Sequence, residues 1–140
     1  MSSTKKESLL RKTLWANAVF TTLCGLGLVF ASGTLSAWIG AVGATELIVV
    51  GVVLLFYAAD LARTALGKSI PRGRIYYFIV MDLLWVVGSA VAVWGVPVPF
   101  TPAGRWVVLL IADAVGLFGV LQYLGLRRLS KTTVEAAPSV

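Results

Sequence analysis

The sequence contains no histidine and a single cysteine, Cys24. Metal sites built from histidine and cysteine, histidine-ligated haem and dithiol redox chemistry all need residues that this chain lacks. A Ser-His-Asp triad is excluded as well, because it needs a histidine as its general base. We therefore expect a protein that is not an enzyme and that carries neither a metal ion nor another cofactor.

Charged residues are also scarce. They make up 13% of the 140 residues, whereas 59% of the residues are hydrophobic. Soluble domains have about 25% charged and roughly 45–50% apolar residues. A soluble domain of this length has too little interior to bury so much apolar surface. The composition therefore predicts an integral membrane protein whose main partner is the lipid bilayer.

Four apolar stretches are long enough to cross a bilayer as helices, which takes about 20 residues each. They cover residues 14–31, 44–61, 75–94 and 106–126. After the first stretch, Leu35, Trp38 and Ile39 are expected in a short interfacial segment, because Trp favours the headgroup level. Prolines end the third stretch, and Pro102 suits the first position of the fourth helix. We predict an all-α fold, an antiparallel bundle of four transmembrane helices.

Basic residues mark one end of this bundle and account for the net charge of +6. Eleven of the twelve Lys and Arg residues lie within residues 5–12, 63–74 and 127–131, and only Arg105 lies elsewhere. The positive-inside rule makes that end cytoplasmic, with both termini there. Nucleic acid is not an expected partner, because the basic residues flank apolar stretches. The predicted parts are a basic N-terminus (1–13), a membrane domain (14–129) and a flexible cytoplasmic tail (130–140).

The first apolar stretch has an alternative interpretation as a cleaved signal peptide, with residues 5–12 as its charged region. Its apolar part, residues 14–31, is longer than the roughly 7–15 residues of a usual signal core, which favours a membrane span. Cleavage would leave the orientation of the other three helices unchanged.

Polar residues within the apolar stretches are the candidate functional residues. They are Asn17, Glu46, Asp82 and Asp113, one in each predicted helix. Ionisable groups are costly in hydrocarbon, so we expect them to face the bundle interior and to have partners. Asn17 and Asp82 lie at similar depths, and they are expected to form a hydrogen bond if Asp82 is protonated or if another donor is shared. Glu46 is predicted to form an ion pair with Arg105 near the outer surface, whereas no cationic residue shares the depth of Asp113.

These polar residues support two hypotheses of function. In the first, they hold the bundle together by interhelical hydrogen bonds, and the chain is a non-enzymatic accessory or assembly subunit. Its protein partners would be a second copy or a larger membrane complex, and small residues such as Ala112 and Gly116 would allow close helix contact. In the alternative, Asp82 and Asp113 bind a cation or carry protons, and the chain is a proton- or cation-coupled transporter of small molecules.

Three segments have distinctive sequences: LWANAVF from Leu14, followed by Gly25; DLLWVVG from Asp82; and LQYLGLRR from Leu121. Together they resemble an uncharacterised family of small bacterial four-helix integral membrane proteins. The similarity extends over most of the chain. It implies a location in the bacterial cytoplasmic (inner) membrane and implies no activity.

Overall fold

The computed structural model describes the backbone of residues 2–135 and the side chains of residues 7–131. All regular elements of this part of the chain are helical, which confirms that the fold is all-α. They are α1 (Ser2–Phe30), α2 (Ser32–Ile39), α3 (Ala44–Leu66), α4 (Arg72–Ala90), a π-helical turn that continues α4 (Val91–Gly95), and α5 (Pro102–Glu135).

Four helical segments are long and apolar enough to cross a membrane. They are Glu7–Phe30, Ala44–Leu66, Arg72–Gly95 and Pro102–Lys131. The shortest has 23 residues and is about 34 Å long at a rise of roughly 1.5 Å per residue, against about 30 Å for the hydrocarbon core of a bilayer. The chain is therefore a multi-pass membrane protein.

The helices extend beyond the apolar stretches of the sequence. α1 begins at Ser2, and α5 continues to Glu135, so residues 130–135 of the predicted tail are helical. Residues 136–140 of that tail lie outside the described residues. The physical reason is that hydropathy marks only the part of a helix that suits hydrocarbon. The backbone hydrogen bonds of a helix do not require apolar side chains, so they continue into the polar flanks.

The main hydrophobic core lies at the end of the bundle where basic residues cluster, which we call the basic end. The core consists of Leu10, Leu14, Ala18, Leu61, Ala65, Ile75, Phe78 and Leu126. Polar contacts join the helices around it. Arg11 donates to the backbone oxygens of Ala65 and Gly67, the latter at 2.8 Å, and Arg74 forms an ion pair with Asp60. These contacts link α1 to α3 and α3 to α4.

The opposite end, which we call the loop end, is formed by α2 and residues 96–101. α2 is the short helix expected around Trp38, and it ends at Ile39, followed by Gly40 with a positive φ of 78°. The backbone N–H of Thr101 donates to the Ile39 oxygen at 2.9 Å, and its hydroxyl donates to the Trp38 oxygen. The same hydroxyl accepts the N–H of Gly104 at 2.9 Å and so caps α5. Thr101 therefore joins α2 to the start of α5.

α1 lies against both α3 and α5, and α4 lies against α5. α1 and α3 approach each other closely at Gly25 and Gly51. A Cβ added to Gly51 would lie 2.8 Å from the Gly25 oxygen and 2.9 Å from the Leu28 Cβ. Only residues without a side chain allow two helix backbones to come this close. By contrast, α3 and α4 meet mainly through side chains in the half of the bundle nearer the basic end.

Candidate functional site

Asp82 is the one fully buried acid among the described side chains, with 2% of its surface exposed. Three donors from three other helices reach its carboxylate. Asn17 Nδ2 of α1 and Gln122 Nε2 of α5 both donate to Oδ2, at 3.1 and 3.0 Å. The hydroxyl of Tyr57 in α3 donates to Oδ1 at 2.8 Å. Asp82 thus joins α1, α3, α4 and α5, and we call these four residues the Asp82 cluster.

A second layer of contacts orients the donors. The Thr21 hydroxyl donates to Asn17 Oδ1 at 3.1 Å, which directs the Asn17 amide nitrogen towards Asp82. Thr21 follows Asn17 by four residues, so the two side chains share one face of α1. The amide oxygen of Gln122, Oε1, is buried and accepts no hydrogen bond from the described residues. The cluster therefore contains one free acceptor beside its central acid.

The Tyr57 hydroxyl allows the cluster to exist with or without a proton on Asp82. This hydroxyl lies 2.8 Å from Asp82 Oδ1 and 3.3 Å from the backbone oxygen of Phe78. A tyrosine hydroxyl both donates and accepts. It donates to an ionised Asp82; if Oδ1 carries a proton, the hydroxyl can accept from Oδ1 and donate to Phe78 instead. Rotation of one hydroxyl therefore keeps the hydrogen bonds of the cluster satisfied in both protonation states of Asp82 Oδ1.

A small cavity of about 90 Å³ adjoins the Asp82 cluster. Its lining includes Thr21, Cys24, Tyr57, Asp82 and Trp85, and the remaining lining residues are apolar. At about 30 Å³ for a water-sized group, it has room for roughly three. The indole Nε1 of Trp85 is buried without an acceptor among the described residues. An unpaired buried donor thus lies on a residue that borders the cavity.

The predicted contact between Asn17 and Asp82 is present, with both residues buried. Sequence reasoning missed Gln122, although it is fully buried. The signal that could have identified it is its spacing, because Gln122 follows Val115 by seven residues and Gly119 by three, which places all three on one face of α5. The contact between Tyr57 and Asp82 was not predicted either.

The structure does not join Glu46 to Arg105. Within residues 7–131, Glu7 pairs with Arg11 and Asp60 pairs with Arg74, and no ion pair closer than 4.0 Å involves Glu46 or Arg105. Glu46 and Arg105 are both exposed. Glu46 lies in the first turn of α3, and its carboxylate lies over the backbone of Gly43, which precedes the helix. A carboxylate is favoured there because the N-terminus of a helix carries a partial positive charge.

Asp113 does not face the bundle interior, and this corrects the expectation that every polar face turns inward. Asp113 is exposed, whereas Ala112 and Val115 are buried. Successive residues of an α-helix are about 100° apart. The contacts of Ala112, Val115 and Gln122 determine which side of α5 faces inward, so Asp113 is rotated out of the interior. Asp82 and Asp113 therefore do not share an ion site in this structure.

No metal site is found among the described residues, because no three His, Cys, Asp or Glu side chains are close enough together to hold one ion. Comparisons with protein-family models, with curated proteins and with solved structures find no match to this chain. The resemblance noted in the sequence therefore stays a prediction.

Proposed function

We propose that this chain is a non-enzymatic membrane subunit that assembles with another membrane protein along the outward face of α5. The observation that carries the proposal is the exposed position of Asp113. It lies on the same face as Leu110 and Leu117, whose side chains are 63% and 58% exposed. Without a partner, this acid would face lipid.

Asp113 is too far along α5 from either end of the span for its short side chain to reach water. At roughly 1.5 Å per residue, about 10 Å separate it from Trp106 and about 21 Å from Arg127. Placing an Asp at the centre of a transmembrane helix costs about 2.5–3.5 kcal/mol on insertion scales. It has no hydrogen-bond or ion-pair partner within residues 7–131. A polar group of another molecule would remove this cost.

Charge complementarity favours a different protein over a second copy as that molecule. Arg105, the basic residue closest to Asp113 in the sequence, precedes it by eight residues. A second copy in the same orientation, docked by this face, would bring Asp113 against Asp113, and like charges in contact are unfavourable. A transmembrane helix with Lys or Arg at this depth would instead form an ion pair. The proposed partner therefore contains such a helix.

The proposed setting is the bacterial cytoplasmic membrane, with both termini in the cytoplasm. The clustering of Lys and Arg at the basic end supports this orientation, because cytoplasmic segments are enriched in both residues. The resemblance to small bacterial four-helix membrane proteins supports a bacterial origin and a location in the cytoplasmic membrane.

The proposal can be tested with a synthetic transmembrane peptide of leucines that carries one Lys at the depth of Asp113. Binding to the purified chain in phosphatidylcholine vesicles would be measured by fluorescence energy transfer. We expect the Lys peptide to bind about tenfold more tightly than the all-Leu peptide. Tenfold corresponds to about 1.4 kcal/mol, within the range for interhelical polar contacts in membranes.

Two variants serve as matched controls. Asp113→Leu should abolish the preference for the Lys peptide. The double variant Asp113→Leu, Leu110→Asp moves the acid one turn towards Trp106, so it should prefer a peptide whose Lys is moved by the same distance. The proposal would be wrong if the wild-type chain bound both peptides equally, or if it associated with itself through Asp113.

The second candidate function is proton-coupled transport through Asp82. The specific observation in its favour is the Tyr57 hydroxyl, which lies within hydrogen-bond distance of both Asp82 Oδ1 and the Phe78 oxygen. A small cavity also adjoins this pair. Transport would need Asp82 to exchange its proton with the two sides of the membrane in turn, and the hydroxyl supports such an exchange without a change of fold.

Proton flux into vesicles, driven by a potassium diffusion potential and reported by a trapped pH-sensitive dye, would test this candidate. We expect Asp82→Asn to lower the flux at least tenfold. Tyr57→Phe keeps the acid but removes the hydroxyl, and it should lower the flux as well. Asp113→Asn is the control and should retain it. Full flux in both cluster variants, or no flux in the wild-type protein, would exclude proton conduction through Asp82.

A further inference from the structure

The backbones of α3 and α4 do not pack closely against each other. α1 lies against α3 and α5, and α4 lies against α5. α3 and α4 are joined instead by the side-chain contacts of Tyr57 and Arg74. On the lateral surface between these two helices lie Val53 and Phe56 of α3 and Tyr77 and Met81 of α4. All four residues are apolar or aromatic, and we call this surface the α3–α4 groove.

Helical spacing places the groove beside the contacts that join the two helices. Val53 precedes Asp60 by seven residues, and Met81 follows Arg74 by seven. Each therefore lies on the side of its helix that carries the ion pair between α3 and α4. Val53 and Met81 are both exposed, and both line the small cavity beside the Asp82 cluster. The small cavity therefore opens to the lateral surface in the groove.

Three exposed basic residues lie where the groove reaches the basic end of the bundle, Arg63, Lys68 and Arg74. Arg63 follows Phe56 by seven residues and shares its face of α3. Lys68 lies in the short turn that leads from α3 to α4. Asp60 balances one of the three charges through its ion pair with Arg74. This end of the groove therefore has a net positive charge and attracts an anion.

Arg74 can bind an anion while it keeps its ion pair. Its contacts with Asp60 and with the Thr64 hydroxyl both use Nη2. A guanidinium group carries five N–H donors, which are spread over Nε, Nη1 and Nη2. Their forked geometry matches the oxygens of a phosphate group. Arg74 thus connects α3 to α4 and also presents donors that suit a phosphate.

The order of side chains along α4 matches the order of groups in a phospholipid. The candidate span begins at Arg72, so Arg74 lies at the level of the lipid headgroups. Tyr77 lies about one turn deeper, where aromatic residues are enriched. Met81 is about 10 Å from Arg74 at roughly 1.5 Å per residue, within the roughly 15 Å of hydrocarbon in one leaflet. The occupant that fits this order is anionic at one end and apolar beyond it.

We propose that the α3–α4 groove binds an anionic phospholipid of the surrounding bilayer. The phosphate binds Arg63, Lys68 and Arg74, and one acyl chain lies along the groove and covers the opening of the small cavity. Basic pockets between transmembrane helices on the cytoplasmic side recognise anionic headgroups. An acidic protein segment would supply the charge but not the chain. The site does not include Asp113, so it is independent of the proposed assembly through α5.

Photolabelling with two matched lipids tests the proposal. Phosphatidylglycerol and phosphatidylcholine would carry the same acyl chains with one diazirine, so that they differ only in the headgroup and its charge. The full-length chain in phosphatidylcholine vesicles would be irradiated with a trace of either lipid, and labelled residues would be identified by mass spectrometry. We expect phosphatidylglycerol to label the groove about fivefold more than phosphatidylcholine does, relative to Leu110 and Leu117 on the outward face of α5.

Two pairs of substitutions separate a site from a general effect of charge. Arg63→Gln with Lys68→Gln removes two cations at the groove and should bring the labelling ratio close to one. Arg72 and Arg74 remain in the same turn, which preserves the signal for orientation. Lys12→Gln with Arg127→Gln is the control. It removes the same charge from exposed positions of α1 and α5 at the same end, and it should leave the ratio at the groove unchanged.

A second pair of variants tests the position of the acyl chain without a change of charge. Met81→Trp places a bulky side chain in the groove and should reduce labelling of Val53 and Phe56 by phosphatidylglycerol several-fold. Leu83→Trp is the control, because Leu83 is exposed and does not line the small cavity. It should leave the labelling of Val53 and Phe56 unchanged. Circular dichroism of each variant would establish that it is folded.

Three results would overturn the proposal. Equal labelling of the groove by the two lipids in the wild-type chain would mean that the groove does not select an anionic headgroup. Equal effects of the two charge pairs would mean that only the total charge of the basic end matters. Unchanged labelling in Met81→Trp would mean that the acyl chain lies elsewhere.

Discussion

Replacing Asp82 by Leu is expected to lower the free energy of unfolding by about 2–5 kcal/mol, since three interhelical hydrogen bonds of roughly 0.6–1.7 kcal/mol each are lost. The amides of Asn17 and Gln122 and the hydroxyl of Tyr57 would remain in the interior without their acceptor. Asp82→Asn should lower it less, because its side-chain oxygen still accepts. Reversible unfolding by SDS in mixed micelles, followed by circular dichroism, would measure these losses.

The chain itself offers a matched control for this prediction. Asp113→Leu makes the same chemical change in another transmembrane helix, but at an exposed position. Substitutions on a surface usually change stability by less than about 0.5 kcal/mol, so the isolated chain should be little affected or slightly more stable. Equal losses of unfolding free energy in Asp82→Leu and Asp113→Leu would contradict the structure, in which Asp82 is buried and hydrogen-bonded and Asp113 is exposed.

Gly51→Leu is expected to lower the free energy of unfolding by about 3 kcal/mol, at the upper end of the range for overpacking. Even a single added Cβ would lie 2.8 Å from the Gly25 oxygen and 2.9 Å from the Leu28 Cβ. These atoms belong to the backbone of α1 or are directly attached to it, so they cannot rotate away. The two helices must move apart, and contacts along their whole length weaken. The same SDS unfolding experiment would measure the loss.

Gly88→Ala is the control for that substitution. A Cβ at Gly88 meets nothing within 4 Å, so alanine should stabilise α4 by about 0.5–1 kcal/mol through its better helix propensity. If Gly51→Leu proved as stable as the wild-type chain, α1 and α3 could not approach each other at Gly25 and Gly51 as described.

The four spans could be predicted from the sequence, because a mostly apolar run of the right length has few alternatives in a bilayer. The contact between Asn17 and Asp82 could also be predicted, from their similar depth. The inward position of Gln122 and the outward position of Asp113 could not. Both depend on the rotation of α5 about its own axis. A rotation of about 100° would place the next residue in the chain where a given residue now points.

The sequence by itself determined that this chain spans a membrane. Of its residues, 59% are hydrophobic, and four long apolar runs are suited to hydrocarbon and not to water. Only the tertiary structure decided which polar residues meet. The contacts of Ala112 and Val115 orient α5 so that Gln122 reaches Asp82, whereas Asp113 faces outward. Hydrophobicity specifies how deep a residue lies, but close packing of neighbouring side chains sets the direction in which it points.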